Sequence, residues 1–142
     1  MKRSIRVLSL ILALFMLTLA FVACNEKPTG LWENATYTKD KTLGDGANTL
    51  SITVEMEEKS IVLTVKTDAA TVKDALAEHD LIDGEQQAIG YMMSTLNGVR
   101  ADFTLDGAYW AFYQNGEYMM TGIDTTPVTG DAAYEFVYTP AS

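Results

Sequence analysis

The sequence predicts an α+β domain: a mixed sheet built from hairpins, with one helix crossing it. Three observations lead there: strand-like alternation from Leu50, a capped amphipathic stretch from Thr71, and Asn-Gly turns at 97–98 and 115–116 between β-prone runs. Leu50, Ile52, Val54 and Met56 alternate with Ser51, Thr53 and Glu55, the period of a half-buried strand. The β-branched run Ile61–Lys66 follows the polar turn Glu57-Glu-Lys-Ser60, so the two segments form a hairpin.

Thr71-Val-Lys-Asp74 fits the acidic form of a capping box, in which the Thr hydroxyl accepts an orphan backbone N–H. Val72, Ala75, Leu76 and His79 then share one face of a helix of about two and a half turns, which would pack on the hairpin. Gly84 ends that helix. Tyr91–Leu96, Asn97-Gly98 and Val99–Phe103 read as strand, turn and strand, and Tyr109–Gln114, Asn115-Gly116 and Glu117–Thr121 repeat the pattern. Ala132–Tyr138 is a last strand. The expected order is ββαβββββ, in roughly 90 residues, enough for one modest core.

The N-terminus has a different composition. Lys2, Arg3 and Arg6 precede an apolar run from Val7 to Ala23 broken only by Ser9 and Thr18, which reads as a secretory signal over residues 1–23. An uncleaved anchor helix is the alternative, although the run falls short of the about 20 residues a bilayer asks for. Beyond the leader, seven basic face 19 acidic side chains, a formal −12. That balance excludes nucleic acid as a partner, because duplex binding needs clustered Lys and Arg, and it repels anionic membrane surfaces. One Cys and one His exclude a disulfide framework and a finger-type zinc site.

Phe21-Val-Ala-Cys24 resembles the lipobox of bacterial lipoproteins, with Phe21 where Leu is usual. The resemblance implies lipidation at Cys24, an extracytoplasmic location and a membrane anchor of acyl chains. Residues 24–49 would be tether and N-terminal arm: Asn25–Gly30 has linker composition, and Leu31, Trp32 and Tyr37 are available to pack on the domain.

Residues 50–140 carry a second resemblance. Tyr109-Trp-Ala-Phe-Tyr-Gln-Asn-Gly-Glu-Tyr-Met-Met-Thr-Gly122, with Thr71–Leu76 before it and Gly130-Asp131 and Phe136–Tyr138 after it, is similar to the C-terminal β domain of transcobalamin and intrinsic factor. Bacterial lipoproteins carry a similar domain of unassigned role. The resemblance implies a β-grasp-like fold and a small ligand, with cobalamin or another corrinoid as candidate and a membrane transporter as candidate partner. The helical barrel that holds cobalamin in those carriers has no counterpart in this sequence.

The residues themselves nominate aromatic side chains as ligand contacts: Tyr91, Tyr109, Trp110, Tyr113 and Tyr118. Strand alternation sets Tyr109 and Tyr113 on one face and Trp110 and Phe112 on the other, so only one set can be core. If Trp110 and Phe112 are core, the tyrosines form the exposed platform. His79, Asp80, Asp83 and Glu85 are the one imidazole–carboxylate group that could hold a divalent metal, although their spacing matches no established motif and a His near a helix C-terminus is well explained by the dipole. No nucleophile elbow or second His is present, so an enzyme is not expected. Besides a ligand-binding lipoprotein, the sequence leaves open a surface module that docks a protein or acts as a spacer.

Overall fold

The computed structural model describes residues 26–142; the expected signal segment and Cys24 with its lipidation lie outside the described residues. Three tight turns set the architecture. Glu57 and Glu58 both take positive φ (51° and 63°), a two-residue turn that joins β2 (Asn48–Met56) to β3 (Lys59–Thr67). Asn97 and Gly98 (φ 51° and 81°) join β5 (Gly90–Leu96) to β6 (Val99–Arg100) in the same way. Asn115 and Gly116 (φ 50° and 82°) join β7 (Ala108–Gln114) to β8 (Glu117–Tyr118).

These hairpins do not share one sheet. A curled six-stranded sheet has the order β1-β3-β2-β9-β7-β8, with β1 at Lys41–Gly44 and β9 at Ala133–Pro140. The β1/β3 and β2/β9 pairs are parallel and the others antiparallel. A separate antiparallel sheet, β4-β5-β6, contains β4 (Ile82–Gln87).

The expected α+β, β-grasp-like class is therefore corrected: the chain is predominantly β. Among the described residues the one α-helix, α1, runs only from Val72 to Ala77, beside a 3-10 turn at Gly30–Asn34. Thr71 does cap α1, its Oγ1 accepting from Asp74 N at 3.2 Å, and Val72, Ala75 and Leu76 are fully buried as the periodicity requires. The helix stops early because Asp80 turns left-handed (φ 53°) while Leu81 N donates to Leu76 O and Asp80 N to Ala77 O, a Schellman closure. A helix this short cannot form a layer. The three-stranded sheet supplies much of the cover instead, through Leu96 and Val99.

Two strands were not legible. β4 holds Asp83, Glu85, Gln86 and Gln87, all exposed, so it carries no apolar alternation. β1 buries only Leu43. From Gly30 on, the segment expected as an arm packs onto the core: buried Trp32 donates its indole N–H to Met56 O at 3.1 Å, with Lys59 Nζ 4.9 Å from the ring centroid. Fully buried Asn97 then clamps the arm, since its Oδ1 accepts from Tyr37 N (2.9 Å) and its Nδ2 donates to Tyr37 O (2.8 Å).

Candidate ligand cleft

β7 sorts its rings by strand alternation. Trp110 and Phe112 are 8% exposed and face the interior, which is the packing alternative of the sequence reading. Phe112 stacks on Phe136 of β9 with centroids 4.9 Å apart, and Trp110 meets Tyr138 edge-on at 5.6 Å. The Trp110 indole N–H donates to Val99 O of β6 at 3.2 Å, so one side chain fixes the large sheet against the small one. On the opposite face, Tyr113 and Tyr118 are direct cross-strand partners with rings 5.5 Å apart at 79°.

Beyond β8 the chain doubles back. Met119 N donates to Phe112 O (2.9 Å), and Asp124 Oδ2 then accepts from Tyr91 N (3.0 Å), tying this segment to β5. Between β5, β7 and the returning segment lies a cleft of about 370 Å³. Trp110, Phe112 and Phe136 floor it; Tyr91, Tyr109, Tyr118 and Met120 line it as well. Four of the five nominated aromatic residues thus converge on one cavity. Tyr113 does not line it; its ring meets Tyr118 edge-on.

The sequence reading missed the methionines. Met92, Met93, Met119 and Met120 all line the cleft, and Met120 is 90% exposed. A signal was present: Tyr-Met-Met occurs twice, at 91–93 and at 118–120, and both copies meet at this cavity. Thioether sulfur is polarisable and contacts ring edges favourably, so Met and aromatic side chains together suit a flat apolar surface. Burial, with a smaller contribution from Asp83, raises the Tyr91 hydroxyl above its ordinary pKa, and Lys73 Nζ lies 4.8 Å from its ring centroid. Tyr91 therefore enters the site as a neutral phenol.

A second cavity of about 380 Å³ shares Met92, Met93 and Tyr109 with the first. Its remaining lining is polar on one side, with Glu85, Gln87, Ser94, Asp102 and Thr104, and includes exposed Phe103. The β4/β5 register is irregular at Asp83/Gly84, just before Glu85 of this lining. Gly84 is required there, because a Cβ would fall 2.2 Å from Met92 O.

The metal group nominated from sequence does not assemble. Among the described residues, no three His, Cys, Asp or Glu side chains gather so as to hold an ion. His79 packs toward β1, where a Cβ on Gly44 would lie 3.0 Å from its Nε2, a buried atom without a hydrogen-bond partner. Asp80 occupies the left-handed turn closing α1, Asp83 bonds Gly84 N at 2.8 Å, and Glu85 belongs to the second cavity. Four residues near in sequence are divided between a helix end and an extended strand.

Residues 69–132, which contain most of both cavities' linings, match the model of a domain of unknown function, DUF4430. No curated protein matches the chain. Among solved structures, a proposed metal binding protein from Ruminococcus gnavus is similar at 26% identity and a TM-score of 0.62, over 67% of this chain and 99% of that one. Haptocorrin, in complex with cobinamide, is similar at 16% identity and a TM-score of 0.53, over 67% of this chain. The match spans only 25% of haptocorrin's length and is a likeness of fold, in keeping with the transcobalamin-type resemblance.

Proposed function

We propose that this chain is an extracytoplasmic lipoprotein, held to the cell membrane through lipidated Cys24, whose cleft binds a small planar ligand for uptake or sensing beside a membrane transporter. The observation that carries this reading is the convergence of Tyr91, Tyr109, Trp110, Tyr118 and two Met-Met pairs on one uncharged cavity. A volume of about 370 Å³ lies toward the small end of ligand pockets, so a larger ring would be held over part of its face. A corrinoid is the favoured candidate, because haptocorrin, which shares the fold, binds cobinamide.

Titrating the Cys24→Ser chain with cobinamide, cobalamin and haem, by calorimetry and absorption, tests the reading. Binding should quench Trp110 fluorescence and weaken about tenfold or more on Tyr118→Ala, the loss of a large ring contact. Absence of heat and of spectral change with all three would remove corrinoids and tetrapyrroles from consideration. A stable protein partner recovered from solubilised membranes, without small-molecule binding, would favour a docking or spacer module, for which exposed Ile89, Phe103 and Leu105 are the available contacts.

A further inference from the structure

The two cavities differ in chemistry although they meet at Tyr109, Met92 and Met93. The first is lined by aromatic, thioether and aliphatic groups, Thr121 and Gly122, without an ionised side chain. The second carries two carboxylates, Glu85 and Asp102, alongside Ser94, Thr104 and Gln87, without a basic side chain. Neither carboxylate forms an ion pair among the described residues. Among the described residues the one ion pair is Arg100–Asp106, in which Asp106 takes both Arg100 Nε (2.8 Å) and Nη2 (2.9 Å). Asp102 Oδ1 accepts from Thr104 N and Leu105 N, which fixes the carboxylate in place; Arg100 feels its charge but pairs with Asp106 instead.

We infer that the ligand is an amphiphile with a flat apolar part on the Tyr-Met-Met face and a cationic or hydrogen-bond-donating arm reaching past Tyr109 to Glu85 and Asp102. This rests on the ligand-binding reading above and narrows it to a class. A carboxylate at the cavity wall attracts a cation and repels an anion, and both effects fade with salt because the site is open to solvent. Donor-rich arms ending in amides would be accepted by the same oxygens, whereas acid-ended arms would be rejected.

Two tricyclic probes of matched shape separate the possibilities: 9-aminoacridine, a cation at neutral pH, and anthracene-9-carboxylate, an anion. With the full chain labelled at its Met methyl groups, the four cleft methionines report occupancy by NMR, and buried Met56 reports that the fold is intact. The cation should bind about tenfold more tightly at low salt, and the advantage should shrink as salt rises. The pair Glu85→Gln and Asp102→Asn should weaken the cation about fivefold and leave the anion as tight or tighter. Equal affinity for the two probes, or a preference that survives both substitutions, overturns the inference while leaving the cleft a binding site. Failure of both probes to move any cleft methionine overturns the binding reading itself, and this inference with it.

Discussion

The two Asn-Gly turns are identical in sequence and nearly so in backbone angle, yet the molecule uses them differently. Asn115-Gly116 caps the β7/β8 hairpin at the surface, and a Cβ added to Gly116 would meet nothing within 4 Å. Asn97-Gly98 is enclosed: Asn97 is 0% exposed, Thr36 N donates to its carbonyl at 2.8 Å, and a Cβ on Gly98 would lie 2.5 Å from Asn34 O. The exposed dipeptide reverses the chain and, through Asn115, meets the start of β9, its N–H donating to Ala133 O at 2.9 Å; the enclosed one reverses the chain and also holds the N-terminal arm through buried hydrogen bonds. A turn signal specifies local geometry, while surroundings decide its weight in stability.

Substitution should expose that asymmetry. Asn97→Ala leaves Tyr37 N and O unpaired and puts Ala in a left-handed conformation, so urea unfolding should show a loss of roughly 3 kcal/mol. Gly98→Ala adds a clash with Asn34 O to the strain of positive φ and should cost about 2–3 kcal/mol in the same measurement. At the exposed turn, Gly116→Ala meets strain alone and Asn115→Ala adds the loss of a long, exposed hydrogen bond from Ala133 N (3.4 Å), so each should cost about 1 kcal/mol. Equal losses at the two turns would break the comparison.

The smallest effect belongs to acid. The loop after the Asn97-Gly98 hairpin is braced by Asp106, whose carboxyl is lowered to about 2, first by the Arg100 hydrogen bond and then by Asp102 N–H. A carboxyl depressed on folding stabilises above its unfolded value near 3.8 and loses that contribution as pH falls toward about 2. The Asp102 amide, which donates to Asp106 Oδ2, should therefore shift between about pH 4 and 2 by NMR, with Gly116 unmoved.

The hairpins were legible because Leu50–Met56 and Ala108–Gln114 place one face in the core, which imprints alternation on the chain. The cap at Thr71 was legible because its chemistry is local. Sheet membership was not: nothing in Tyr91–Leu96 says that it pairs with polar Ile82–Gln87 rather than with the large sheet. The helix was overestimated because His79 kept the apolar phase going, while the Schellman turn at Asp80 depends on backbone angle rather than on residue type. The aromatic half of the site was readable from ring content, but the methionine half required knowing that segments 91–93 and 118–120 meet.

The placement of β9 carries a consequence for how the chain comes together. Residues 133–140 lie between β2 and β7, so the early ladder β1-β3-β2 and the later pair β7-β8 have no common edge until that segment exists. Synthesis must pass nearly the whole domain before its large sheet can close. Parallel zippering of residues 51–55 onto 133–137 is then the long-range step that converts two separate fragments into one cooperative body.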